Sequence, residues 1–324
     1  GQTNKVDFDI AFQRLKSALD GNSDISFKDA VILTENAYFG GTLNAESINK
    51  EILFLVGLTE IVDNSGQIIT YDEKDKDRIS KYASIFRVLT DTTNVSIDTA
   101  SYFSHPPFRY DFDDIFGEKN WENMFVTKLL ATRKGNCHSL PYLYKIICEA
   151  YNIPCHLALA PNHIYIKHQA KKGGWYNTEL TSASFPIDAW LMASGYISLE
   201  SFQKGIYLDT LTEVESIALC VIDLAMGYNH KNPDNDGTFV IECCDLALKH
   251  FPDYVNAILL KAETRLKQLQ AMQKQYGYAY LKEVTNLQDG KNLWDEMNSL
   301  YMQLYQLGYR QMPEQMYVEW LTSL

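Results

Sequence analysis

The sequence has few cysteines, no basic run and no long apolar stretch, and each shortage excludes something. A membrane-spanning helix needs roughly 18–20 apolar residues in succession. The apolar run Ala218–Ala225 is too short, so no membrane span is expected. The 324 residues carry a net charge of −12. Proteins that grip nucleic acid present a basic face, so neither nucleic acid nor an anionic membrane is expected as a main partner. The six cysteines are Cys137, Cys148, Cys155, Cys220, Cys243 and Cys244, with no C-x-x-C pair among them. A disulfide framework does not suit so large a chain. Cys148, Cys220, Cys243 and Cys244 lie in apolar helical patterns and read as packed free thiols. Cys155 and His156 have no metal-ligand spacing with Cys137. Asn232–Gly237 resembles a calcium loop only loosely and reads as a polar turn. No metal and no cofactor are therefore expected. G-x-S-x-G, P-loop and dinucleotide fingerprints are all missing. No signal peptide is visible, yet the chain opens Gly1-Gln2-Thr3-Asn4 without a Met. That reads as a processed start. A removed secretory signal would make the protein periplasmic or secreted, and a tag remnant would make it cytoplasmic.

Apolar residues make up 46% of the chain, enough for a substantial core, and its length favours two domains. Phe8, Phe12, Leu15 and Leu19 recur at helical spacing, predicting a helix over Asp7–Leu19. Ser26 and Asp29 predict the capped start of a second helix, which Gly40-Gly41 ends. A third follows Asn44 through Ile48, Ile52 and Val56. Asp63–Asp77 reads as a loop around a short Ile68-Ile69-Thr70 strand. Helices are expected again over Ile79–Leu89 and Trp121–Leu130. Leu140, Leu143, Tyr144, Ile147, Cys148 and Tyr151 make one apolar helical stripe that Asn152 and Pro154 stop. Strands are expected over His156–Ala160, His163–His168 and Trp175–Leu180, with Ala170–Gly174 as a hairpin loop. From about Thr210 the chain reads as helical to its end.

The chemistry centres on Lys134-Gly135-Asn136-Cys137-His138-Ser139-Leu140. A cysteine just before a buried helix meets unpaired N–H groups and the positive end of the helix dipole. That lowers a thiol pKa, and the thiolate is the nucleophile. The same N–H groups are candidates for holding an oxyanion. Gly135 is expected to let the backbone turn sharply and to leave room for substrate. Pro141 has no N–H, so the regular helix should begin two or three residues after Cys137. His163 is the candidate base. If the hairpin tip is Ala170–Lys172, residues whose numbers sum to 342 are opposite, and Glu179 faces His163 at about 4.5–5.5 Å between Cβ atoms. A carboxylate there would orient the imidazole, and Asn177 is the diagonal alternative. His138 points about 100° away from Cys137 around the helix, so it should line the cleft or bond to backbone rather than act as base.

The blocks Gly135–Pro154 and Pro161–Thr181 resemble the transglutaminase-like superfamily. Its members carry a Cys at a helix start, a His opening one strand and an Asp on the next. Trp175–Thr181 is similar to that last strand, with Glu179 where the family has Asp. The N-terminal helices and helical tail also resemble a bacterial subgroup with a tetratricopeptide-like C-terminus, for which Cys244–Ala257 gives the local pattern. A plain helical bundle is the alternative for the tail. The resemblance implies an oxyanion donor upstream of the Cys, with Trp121 and Asn123 as candidates. Trp121, Asn136, His138 and Asn177 are the expected substrate-binding residues.

The expected fold is thus α+β: a papain-like, transglutaminase-like core of helices on a small antiparallel sheet over 1–209, and a helical module over 210–324. The expected activity is acyl transfer on an amide of a protein or peptide substrate through a Cys137 thioester, with His163 and Glu179 completing a triad. Water or an amine could resolve the thioester. The other expectation is a silent scaffold that binds a protein partner through the helical tail.

Overall fold

The computed structural model describes residues 5–66, 70–194 and 196–323. Within them the chain is α+β, with helices predominating and seven short strands. Four helices come first: α1 (Lys5–Leu19), α2 (Phe27–Tyr38), α3 (Ala45–Asn64) and α4 (Lys76–Thr90). Their apolar stripes face inward, as the helical spacing requires. Ser26 caps α2 by accepting the Asp29 N–H at 3.0 Å, and Asn44 caps α3 through the Ser47 N–H. Gly40 and Gly41 follow α2 with φ of 64° and 77°. Ile68 and Ile69, expected as a strand, lie outside the described residues, and Thr70 is in no strand.

A short antiparallel ribbon follows, β1 (Thr93–Ser96) on β2 (Tyr102–His105). Next, β3 (Arg109–Tyr110) pairs in parallel with β4 (Lys134–Gly135), the segment that delivers the chain to Cys137. The single helix expected over Trp121–Leu130 is two pieces: a 3₁₀ turn, Trp121–Met124, and α5 (Val126–Thr132), separated by extended Phe125. The break has a tertiary cause. The buried Glu35 carboxylate on α2 accepts the N–H groups of Val126 and Thr127 at 3.1 and 2.8 Å, so a new helix starts there.

Helix α6 (Ser139–Ala150) is buried along nearly its whole length. It lies against the antiparallel sheet β5 (His156–Ala160), β6 (His163–Ala170) and β7 (Gly174–Thr178). The hairpin register differs from the expected one. Ile166 pairs with Thr178 and Lys167 with Asn177, so paired numbers sum to 344. Gly173 and Gly174 hold the positive φ values, 93° and 74°, which moves the tip one residue later than Ala170–Lys172. A slip of two in the pairing sum leaves every side chain on its expected face.

After α7 (Asp188–Met192) and α8 (Leu199–Gln203), residues 208–211 run along the free edge of β5. The Leu208 and Leu211 N–H groups donate to the carbonyls of Leu159 and Leu157. This covers the edge and leads the chain into α9 (Glu213–Lys231). Helices α10 (Thr238–His250), α11 (Val255–Tyr276), α12 (Gln288–Gln306) and α13 (Glu314–Leu321) complete the chain. Between α9 and α10, the side chains of Asn235 and Asp236 accept backbone N–H groups, and Gly237 takes a positive φ, the polar turn expected there. Helix α9 packs on α1 and α2 as well as on α10. One hydrophobic cluster runs from Phe8 to Leu321 and does not break at residue 209.

Candidate active site

Cys137 sits two residues ahead of α6 and is 6% exposed. Its position is set by its neighbours. Gly135 has an ordinary backbone, so the reason for glycine is space rather than freedom to turn. A Cβ there would lie 2.2 Å from Ser139 Oγ and 2.9 Å from Leu129 Cδ1. The Ser139 hydroxyl uses that room: it accepts the Asn136 N–H at 3.0 Å and donates to the Asn123 carbonyl at 3.1 Å. Asn136 was expected to touch substrate. It borders the cavity, but its amide is committed on both sides. Oδ1 accepts the His138 and Ser139 N–H groups at 2.9 and 3.2 Å, and Nδ2 donates to the Ile115 carbonyl. The Asn136 side chain therefore closes the turn that leads through the N-cap His138 into α6. It also takes two of the N–H groups expected to serve an oxyanion, while the Cys137 N–H is in none of these bonds.

His163 opens β6 opposite Ala160 and is buried. Its Nε2 hydrogen-bonds the Glu179 carboxylate. Glu179 is itself 1% exposed, and its other oxygen accepts the Thr181 N–H at 2.9 Å. On the opposite side of the ring, Nδ1 lies 2.9 Å from the Tyr317 hydroxyl of α13. The Cys137 Sγ is 3.5 Å from the Asn162 carbonyl, and the thiol shares its buried surroundings with His163 and Tyr317, which both act on it electrostatically. Tyr317 is fully buried, 3.3 Å from the Tyr110 hydroxyl, and the Trp320 ring stands edge-on to the imidazole at 5.6 Å.

Charge and burial oppose each other here. Burial pushes the Cys137 thiol up, but the hydrogen bond and charge of His163, the Tyr317 hydroxyl and the charge of His138 outweigh it and hold the thiol below its ordinary value. Burial pulls His163 down, but Glu179 and the thiol outweigh that and push it up to about 10. Both shifts favour thiolate beside imidazolium.

No family model, curated protein or solved structure matches this chain. The geometry of the site alone must carry its interpretation.

The remaining candidates divide. His138 reaches the cavity and bonds the Met124 carbonyl and Asp223. Trp121 reaches it too, stacked on His230 at 4.2 Å, with its indole N–H unpartnered among the described residues. Asn123 is a tie for the preceding loop, donating to Asp111 Oδ2 and the Asp114 carbonyl. Asn177 does not reach His163. It pairs across from Lys167, and its amide donates to the Pro186 carbonyl and Asp188. Of Asn177 and Glu179, Glu179 is the one that hydrogen-bonds His163.

A cavity of about 310 Å³ opens on the thiol. One wall holds Cys137, His138 and His163, and the other holds Asp223, Met226, Leu259 and Glu263 from α9 and α11. Sequence reasoning missed Tyr317 and Asp223. Tyr317 and Trp320 share one face of a short amphipathic helix, but no spacing signal ties that helix to a residue 154 positions earlier. Among the described residues, no three His, Cys, Asp or Glu side chains gather as a metal site.

Proposed function

We propose that this chain is a cysteine-dependent acyl-transfer enzyme of the transglutaminase-like, papain-like kind, acting on an amide of a protein or peptide substrate. One observation carries the reading: the buried series Cys137, His163, Glu179, with the thiol open to a cavity. The Cys137 thiolate attacks the amide carbonyl, forming an S–C bond and a tetrahedral oxyanion. The Cys137 N–H, without a partner among the described residues, is the backbone donor we assign to that oxyanion. Collapse breaks the C–N bond, and the amine leaves with the proton that His163 holds. Water or a second amine then attacks the thioester, His163 takes its proton, and the C–S bond breaks to release the acid or new amide and return the Cys137 thiolate. Glu179 holds the ring in place and supports its charge.

The pH dependence follows with a definite sign. The thiolate forms as pH rises through a thiol pKa below the ordinary value of about 8.5. Acyl transfer falls again as His163 loses its proton near about 10. The test is the iodoacetamide alkylation rate of Cys137 against pH in the parent and in His163→Ala. A parent thiol that reacts well below pH 8, and an ordinary one in the variant, are expected. A glutamine peptide with a mass-tagged amine then separates transfer from hydrolysis. An inert or ordinary Cys137 in the parent rules the enzyme reading out.

One feature favours a silent scaffold instead. The Tyr317 hydroxyl occupies His163 Nδ1, the atom that must exchange a proton with the thiol. On that reading the tetratricopeptide-like helices bind a protein partner, and the same alkylation profile decides between the two.

A further inference from the structure

His138 is the second histidine of the cavity, and the mechanism above gives it no task. Its side chain is only 10% exposed, and both ring nitrogens are engaged. Nδ1 lies 2.9 Å from the Met124 carbonyl oxygen, which only accepts, so Nδ1 carries a hydrogen. Nε2 lies 2.7 Å from Asp223 Oδ1. The other Asp223 oxygen accepts the Tyr142 hydroxyl at 2.6 Å. Asp223 thus presents one acceptor oxygen to Tyr142 and the other to His138. Facing two acceptors and no donor, the ring is satisfied only as imidazolium.

We propose that His138 is a standing imidazolium that holds the Cys137 thiolate by charge, so that the thiolate survives when His163 has released its proton. The proposal rests on the reading of Cys137 as nucleophile. His138 is a positioning residue: with both N–H groups engaged it neither takes nor gives a proton. Its neighbours permit this. Burial disfavours its charge, but the charge and hydrogen bond of Asp223, with the Met124 carbonyl, outweigh burial and raise the ring above its ordinary value. From α6, Tyr142 faces it with a hydroxyl kept neutral by burial. From α2 comes Glu35, whose carboxyl burial pushes up to about 7. Tyr254 of α11 borders the same cavity, and burial keeps its hydroxyl neutral too. The arrangement splits two tasks between two histidines. His163 moves the proton, and His138 supplies a charge that does not move. Asp223 belongs to α9, so the C-terminal helices set the state of the nucleophile.

The test combines two readouts. Alkylation of Cys137 by iodoacetamide is followed across pH in the parent, His138→Gln, His163→Ala and the double variant. The ring ¹⁵N shifts of His138 are recorded in the parent and in Asp223→Asn. In the parent, the shifts should stay those of imidazolium above the ordinary midpoint of about 6.5, and Asp223→Asn should return the ring to neutral there. His138→Gln should raise the half-point of the thiol by about one pH unit, slowing alkylation about tenfold below it. His163→Ala should keep part of the depression, and the double variant should lose it. A depressed parent thiol with an unchanged His138→Gln profile overturns the role of His138 alone. An ordinary parent thiol fails the nucleophile reading, and this one with it. Should His138→Gln not fold, a neutral ring in the parent at pH 7 overturns the proposal by itself.

Discussion

Glu179 reaches His163 without facing it. Continuing the observed pairing puts Tyr165 opposite Glu179 and Thr181 opposite His163, so the contact is a diagonal one. The side chain of glutamate is one methylene longer than that of aspartate, and the diagonal uses that length. This gives a physical account of a glutamate rather than an aspartate at this position. Glu179→Asp should pull the carboxylate back from Nε2, and Glu179→Gln should keep the reach but remove the charge. Since one pKa unit is tenfold in protonation equilibrium, Glu179→Gln should slow Cys137 alkylation at pH 6.5 by about 10–100-fold. Glu179→Asp should fall between it and the parent. Rates equal to the parent in both variants would remove Glu179 from the site. The same scale shows what sequence reasoning saw. Cys137 and His163 are legible because a helix start and a strand start are local signals. Asn177 was a fair rival only while the register was unknown.

At the scale of elements, helix starts matter most, and two are supported by distant carboxylates. Glu35 caps α5 from α2, and Glu149 of α6 accepts the N–H groups of Phe27 and Lys28 at the start of α2. Neither cap is adjacent in sequence to the helix it starts, which is why Trp121–Leu130 reads as one helix and folds as two. The start of α6, by contrast, is local: Asn136, Gly135 and Ser139 build it within five residues. Pro141 fits because the third residue of a helix needs no N–H partner inside it. Gly135→Ala tests this element directly. Its Cβ meets Ser139 Oγ at 2.2 Å, so the turn carrying Cys137 must shift. The expected cost is about 1–3 kcal/mol in urea unfolding, with slower alkylation of Cys137. Unchanged stability and reactivity would mean that the turn has slack the packing does not show.

At the scale of the molecule, composition and periodicity favour two units divided near residue 209, and the hydrophobic cluster runs through that point. Helix α9 rests on α1 and α2, residues 208–211 extend the β5 edge, and α13 returns to cover His163. A core this continuous should unfold cooperatively. Calorimetry is expected to show one transition with equal calorimetric and van't Hoff enthalpies. Two resolved transitions would show an independent C-terminal module. The site depends on this closure, since Asp223, Glu263 and Tyr317 reach it from helices beyond residue 209.

The sequence by itself determined the mixed class, most helices, the strands β5 to β7, the turn before α9's partner helix and the places of a cysteine just ahead of a helix and a histidine opening a strand. Those follow from periodicity, caps and turn residues, which act over a few positions. Only the tertiary structure decided the hairpin register, the break after Met124, the hydrogen-bond partners of Asn136 and Asn177, and the partners of both histidines. Each of these depends on groups brought together across the chain, where packing and buried hydrogen bonding choose among conformations that local sequence leaves equal.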